Sequence, residues 1–152
     1  MKHLISPMIA VVAFVAMLIL FTVPKRVLPK VQAHDSDEVC TLATLHGPYG
    51  FVITGTIVNF GPLAIVGVAT YDGAGGIVAD QTASINGNVV PEHNVGTYTV
   101  NSDCTGSSKV SPLGGPEHNA NFVILDEGRE QQLLVTDHGV VLTGTFKKVF
   151  PK

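Results

Sequence analysis

From position 49 onward the chain is a series of short segments in which apolar residues recur at every second position, and this period of two constrains the fold most. Tyr49, Phe51, Ile53 and Ile57 show it in the first segment. Turn residues separate the segments, most clearly the run Asn86-Gly87-Asn88. No stretch of about ten residues has a clean helical period here. The pattern therefore predicts eight or nine antiparallel strands joined by short connections.

A sheet of so many strands, with no helix to cover it, has exposed edge strands. Closure of the sheet into a barrel removes these edges. We therefore expect an all-β domain, a closed antiparallel eight-stranded up-and-down barrel, with a β-sandwich as the alternative. Two segments share a Thr-Gly-Thr pattern that fits closure, residues 53–57 and 142–146. Their central glycines suit close approach or strong bending where a sheet closes on itself. The alternative is that the shared tripeptide is chance in a chain rich in glycine and threonine.

The N-terminal segment predicts export. Lys2 precedes an uncharged, mostly apolar run from 4 to 24. Such a run is typical of a signal peptide, here with a small-residue cleavage pattern at 31–33. About 20 apolar residues can also span a bilayer, so a retained membrane anchor is the alternative. We accordingly expect a periplasmic or extracellular protein with a signal peptide or anchor at 1–33, a lead-in segment at 34–48 and a β-barrel domain at 49–150.

Cys40 and Cys104 are the two cysteines of the chain, and they predict one disulfide bond. Thiols of an exported protein usually pair, because nothing outside the cytoplasm keeps them reduced. The bond would join the start of the folded part to its middle. The alternative, a pair of free or metal-binding thiols, has little support. Neither cysteine lies in a C-x-x-C motif or has a histidine at ligand spacing.

Three stretches carry a resemblance to a known group of proteins. They are CTLATLHGPYGF at 40–51, GVATYDGAGG at 67–76 and GTYTVNSDCTG at 96–106, the last being the most specific. Over about residues 40 to 147, the chain resembles small exported bacterial proteins of unknown role. Their fold is similar to the eight-stranded barrel of the allene oxide cyclase and dirigent type. The resemblance supports the barrel and the disulfide, but it carries no function, since one fold serves many.

Barrels of the allene oxide cyclase type work as cyclases or isomerases. They hold a flexible apolar substrate in one conformer beside a polar group in the lumen. The resemblance therefore implies this activity as an alternative function, and the activity would need a polar side chain on the inward face. Asn121, Tyr98 and Asp80 are the candidates, although Asp80 facing water and Tyr98 as an ordinary core aromatic are the simpler interpretations.

The barrel interior is the first candidate site. An eight-stranded barrel has room for packed side chains or for one small ligand. One face of the predicted strands is apolar, so we expect either a small apolar ligand in the lumen or a filled core. The residues expected to line the lumen are Phe51, Ile53, Tyr98, Asn121, Phe122, Ile124, Leu142 and Phe146.

The second candidate site is a metal site at one rim of the barrel. The tetrapeptide Pro-Glu-His-Asn occurs at 91–94 and at 116–119. Alternate connections of an up-and-down barrel lie at one end. With a break between strands at Pro91 counted as a turn, we expect both copies there with the turns at Asp72 and Asp137 and with His46. Imidazole and carboxylate groups suit Zn²⁺, Cu²⁺ or Ni²⁺, whereas solvated loop histidines are the simpler interpretation. The predicted ligands are His93, His118, His138, Glu92 and Glu117.

Composition narrows the function classes. Apolar residues make up 45% of the chain and charged residues 14%, which excludes a disordered chain. Five basic and twelve acidic residues lie beyond position 33, a balance unsuited to nucleic-acid binding. Motifs of serine hydrolases, zinc proteases and phosphate loops are absent from the sequence. We expect a non-enzymatic module that takes a small apolar ligand, with no cofactor beyond the rim metal. A cyclase or isomerase, and a structural or surface-interaction domain, are the alternatives.

Overall fold

The structure is a computed structural model that describes residues 39–149, so the predicted signal or anchor segment lies outside the described residues. Eight antiparallel strands follow one another around a closed barrel, and the first pairs with the last. Among the described residues, no helix is long and apolar enough to cross a membrane. The strands are β1 (His46–Ile57), β2 (Gly61–Asp72), β3 (Gly76–Ile85), β4 (Asn88–Val100), β5 (Thr105–Pro112), β6 (His118–Leu125), β7 (Glu130–Val135) and β8 (Val140–Lys148).

The predicted barrel is confirmed, and the sandwich alternative is wrong. Pairing of β1 with β8 closes the sheet, so that every strand has two neighbours. The two Thr-Gly-Thr segments lie side by side at this junction, where Ile53 is opposite Gly144 and Gly55 is opposite Leu142. The shared pattern therefore marks the closing seam, as its glycines indicated.

The predicted break at Pro91 is wrong, because β4 runs through it without interruption. Pro91 is opposite Thr82 of β3, whereas the ladder between β4 and β5 begins only at Asn94. The first part of β4 is therefore paired on one side alone. A strand edge of this kind tolerates proline, which has no N–H to donate. The barrel consequently has eight strands rather than nine.

The two ends of the barrel differ. The end that carries the turns after β1, β3, β5 and β7 is called the open end. The opposite end is called the closed end. A short 3₁₀ turn, Leu42–Thr44, leads into β1 at the closed end. Leu45 is completely buried there. Cys40 forms the predicted disulfide with Cys104 in the turn after β4, at a Cα separation of 5.0 Å. The described part of the lead-in segment before β1, residues 39–45, is thus fastened to the closed end.

Inward-facing glycines let neighbouring strands approach where the wall bends. A Cβ on Gly55 would collide with the carbonyl oxygen of Val141 in β8. A Cβ on Gly96 of β4 would collide with the carbonyl oxygen of Lys109 in β5. In both cases the obstacle is backbone of the neighbouring strand, which cannot rotate away. Glycine is therefore required here for close approach of the strands.

Gly96→Ala should lower the free energy of unfolding by about 1–3 kcal/mol, because the added methyl group has to push β5 outward. Gly50→Ala is the matched control in β1, since its Cβ would meet only Val149 Cγ2 at 3.6 Å, an ordinary contact. Denaturant unfolding followed by circular dichroism measures both variants. Equal stability of the two would contradict a steric role for Gly96.

The disulfide should contribute about 4 kcal/mol to stability. It closes a loop with a sequence separation of 64 residues, and the chain-entropy model relates stabilisation to loop length. Denaturant unfolding of wild type and of Cys40→Ser/Cys104→Ser measures the difference. A loss below about 1 kcal/mol would mean that the lead-in segment stays docked without the bond.

Candidate functional site

Three mutually packed tyrosines, Tyr49, Tyr71 and Tyr98, fill the closed end. Their exposed fractions are 0%, 2% and 3%. The ring of Tyr71 makes edge-to-face contacts with the other two at centroid distances of 5.2 and 5.0 Å. Such pairs stabilise a core beyond the area they bury. The three rings form a solid floor, which we call the tyrosine floor.

Each hydroxyl of the tyrosine floor has a partner. Tyr98 shares its proton between the carbonyl oxygens of Leu42 and Leu45, at 2.9 and 3.0 Å. Tyr49 donates to the carbonyl of Gly128. Tyr71 donates to Oε1 of buried Gln131 at 3.0 Å. Buried hydroxyls need such partners, and these bonds tie the floor to the lead-in segment and to the neighbouring strands.

The predicted lumen residues divide between packed core and open space. Tyr98, Phe122 and Ile124 are buried in the core cluster that includes the tyrosine floor. Phe51 and Phe146 stack with centroids 4.6 Å apart and line a space of about 70 Å³. Ile53 and Leu142 line a larger cavity nearer the open end. The filled-core interpretation therefore holds for the closed end, and the ligand interpretation fits the open one.

We call this larger space the open-end cavity; it has a volume of about 190 Å³. Its lining comes from residues at the open-end halves of the strands, where side chains at every second position point inward. One wall, built by β8, β1 and β2, is wholly apolar. Its residues are Ile53, Ile57, Leu63, Ile65, Val140 and Leu142.

The facing side of the open-end cavity is mixed, because apolar residues of β3, β5 and β7 line it together with four polar ones. The polar ones are Gln81 of β3, Glu92 and Asn94 of β4, and His118 of β6. Strand β4 lies opposite β8 in a closed ring of eight strands, so the polar side chains of β4 face the apolar wall. The cavity is therefore amphipathic, which suits a ligand with one polar and one apolar side.

Hydrogen bonds position three of these polar groups and leave one free. Gln81 Nε2 donates to Glu92 Oε2 at 2.6 Å. Nδ1 of His118 and Oδ2 of Asp137 form a hydrogen bond of 2.9 Å. Asn94 is only 4% exposed, and within residues 39–149 its side chain has no hydrogen-bond partner. Its amide consequently remains available to a molecule in the cavity.

Asp137 anchors His118 at the mouth of the cavity. Partial burial would by itself raise the pKa of Asp137. Hydrogen bonds from the Asn119 side chain, from His118 and from the Asn119 backbone N–H outweigh that effect and hold the pKa below its ordinary value. The carboxylate thus stays ionised and orients the imidazole.

The prediction that three polar side chains face the lumen is wrong for two of them, because they occupy outward-facing positions of their strands. In β6 the inward positions are Ala120, Phe122 and Ile124, which leaves Asn121 exposed on the outer wall. Asp80 is also exposed there, 2.7 Å from His93 Nδ1. Tyr98 does point inward, but its hydroxyl is engaged by the lead-in segment. None of the three offers a free polar group to the lumen.

The predicted metal ligands do not come together. Glu92 and His93 are neighbours in β4 and so face opposite sides of the wall, inside and outside respectively. His118, His138 and Glu117 lie at the open end, whereas His46 and the turn after Asp72 lie at the closed end. Within the part of the chain that the structure describes, no three His, Cys, Asp or Glu side chains could hold a metal ion.

The placement of His46 and Asp72 at the open end was wrong because Pro91 was taken as a turn. Counting Pro91 as a turn adds one connection, and that shifts every later assignment of turns to ends. Without it, the turn after Asp72 moves to the end opposite the one carrying His118. Period-two alternation through Ile77, Ala79, Gln81 and Ala83 would have identified Gln81 as inward-facing. The same alternation through an unbroken β4 would have added Glu92 and Asn94.

Comparison with protein-family models finds no match, and comparison with curated proteins finds none either. Two solved structures share the fold. The redesigned β-barrel mFAP1, bound to DFHBI, has 18% identity and a TM-score of 0.52, over 71% of this chain and 98% of that one. A de novo designed fluorescence-activating β-barrel has 11% identity and a TM-score of 0.53, over 70% of this chain and 94% of that one. At these identities the likeness shows the barrel fold alone.

The tyrosine floor makes the pH dependence of stability predictable. Tyr49, Tyr71 and Tyr98 are the only tyrosines, and burial raises the pKa of each above its ordinary value of 10.0. The native state therefore holds these protons more tightly than the unfolded state. This contribution is complete below about pH 10 and is lost as the pH rises through the native pKa values.

In an alkaline titration, tyrosinate absorbance should appear together with the loss of circular dichroism. In denaturant, the same three tyrosines should titrate at about pH 10. Tyrosinate formation near that pH in a chain that keeps its native dichroism would show that the floor is open to solvent.

Proposed function

We propose that this protein is a non-enzymatic binding module that takes a small, largely apolar molecule into the open-end cavity. The observation that carries the proposal is the division of the lumen. A packed aromatic floor closes one half, and an amphipathic cavity of about 190 Å³ occupies the other. A rigid floor beneath a preformed cavity is typical of small-molecule sites.

The size of the cavity supports a ligand of about one ring. An engineered apolar protein cavity of roughly 150 Å³ stays dry and binds benzene. The open-end cavity is somewhat larger and adjoins a further space of about 70 Å³ that shares Ile53 and Val135 with it. A larger molecule would protrude from the mouth. The bound DFHBI of mFAP1 supports the general idea that a barrel of this architecture can hold a small molecule.

Two further expectations belong to this proposal. The Cys40–Cys104 bond supports action in an oxidising compartment, the periplasm or the cell exterior. Outward placement of Asn121 and Asp80 removes two of the three groups predicted for a cyclase or isomerase activity. Glu92 and Asn94 do face inward, so this activity stays the alternative to binding without chemical conversion.

Ala83→Phe should abolish the binding of a neutral apolar probe. Ala83 is 1% exposed, faces inward and lines the cavity, so a phenyl ring there fills the space that a ligand needs. The matched control is Ala64→Phe. Ala64 is exposed on the outer wall at the same level, since its neighbour Ile65 pairs with Ala83.

2-Phenylethanol, a neutral and largely apolar molecule with one ring, serves as the probe, and calorimetric titration of the full chain gives its affinity. Wild type and Ala64→Phe should bind it alike, and Ala83→Phe should bind it at least about tenfold more weakly. Ala83→Leu gives a milder filling if the larger ring disturbs folding, which circular dichroism checks. Unchanged probe affinity in both folded filling variants would end the proposal.

A further inference from the structure

Glu92 has an unusual position for a carboxylate. It is the only Asp or Glu in the lining of the open-end cavity, and no Lys or Arg of residues 39–149 lines that cavity. His118 is the other titratable group of the lining, and it is already held by Asp137. The carboxylate of Glu92 accepts a hydrogen bond from the uncharged amide of Gln81 and not from a positively charged group. The cavity therefore has a net preference for positive charge.

Hydrogen-bonding capacity points the same way. Oε2 of Glu92 accepts one bond, from Gln81 Nε2 at 2.6 Å, and within the described residues Oε1 accepts none. Asn94 lies two positions further along the same face of β4 with its amide free, although the residue is buried. Carboxylate oxygens accept and never donate when ionised. A molecule that donates a hydrogen bond to Glu92 would therefore complete this wall.

We propose that the open-end cavity selects apolar molecules that carry a protonated amine. The inference rests on the proposed binding function and names its ligand class. The ammonium group donates to Glu92 and contacts the Asn94 amide, while the apolar body lies against the wall of β8, β1 and β2. In a cavity of low polarity this charge pairing is stronger than in water. An apolar carboxylate is repelled by the same group.

Three small probes with one phenyl ring separate charge from apolar fit. They are 2-phenylethylamine, which is cationic at neutral pH, 2-phenylethanol, which is neutral, and phenylacetate, which is anionic. Calorimetric titration of the full chain at neutral pH gives the three affinities. The amine should bind at least about tenfold more tightly than the alcohol, because a charge-assisted hydrogen bond is worth roughly that factor. Phenylacetate should bind more weakly than the alcohol.

Glu92→Gln tests the assignment of the charge. It keeps the shape of the side chain and its bond to Gln81, and it should bring the amine and the alcohol to within about twofold of each other. Asp80→Asn is the matched control, because it removes one negative charge from the position next to Gln81 on the outer wall. This control should retain the wild-type preference for the amine.

The outcomes distinguish the two proposals. If the alcohol binds wild type and is lost in Ala83→Phe, but the amine shows no advantage, the ligand class is wrong and the binding function stands. The same conclusion follows if Glu92→Gln keeps the amine preference, or if Asp80→Asn loses it as fully as Glu92→Gln does. If none of the three probes binds folded wild type, and filling the cavity changes nothing, the binding function itself fails.

Discussion

Closure of the sheet between β1 and β8 is the constraint on which the rest of the structure depends. A sheet of eight strands without covering helices has two free edges, and pairing them with each other removes both. A ring this small also bends sharply, so the seam needs positions where backbones can approach. Gly55 and Gly144 lie at these positions on the two strands of the seam, and each faces the lumen. Removal of side chains where the wall bends also leaves room inside.

The interior space is distributed unevenly along the axis. Aromatic side chains and the lead-in segment occupy the closed end, where the hydroxyl of Tyr98 and the disulfide of Cys40 both hold that segment in place. At the open end the lining is mostly aliphatic, with Ala83 where a larger residue would fill the lumen. The same period of two therefore produces a core at one end and a cavity at the other.

Sequence reasoning predicted the architecture well because alternation and turn residues are local signals. The barrel and the seam between the two Thr-Gly-Thr segments followed from them. The disulfide followed from the presence of two cysteines in a chain predicted to be exported. The site was harder to predict, because the inward or outward direction of a polar residue depends on counting through every strand. Taking Pro91 as a turn wrongly placed His46 and the turn at Asp72 at the same end of the barrel as His118. It also hid the inward position of Glu92. Asn121 was wrong by one residue of register, which is enough to exchange the two faces of a strand.

Placement of polar groups in the lumen has a cost that the closed end helps to offset. A carboxylate and an unpartnered amide are unfavourable beside aliphatic side chains unless something satisfies them. Glu92 and Asn94 nevertheless face inward on β4, opposite the apolar wall of β8. The tyrosine floor and the disulfide concentrate stabilising contacts at the other end of the barrel, remote from these groups. Among the described residues, the buried side-chain atom without a hydrogen-bond partner is Nε2 of Gln131, which lies at the closed end beside Tyr71. Glu92 and Asn94 instead face the cavity, where water or a ligand can reach them. A few polar side chains in a mostly apolar cavity are typical of a small-molecule site.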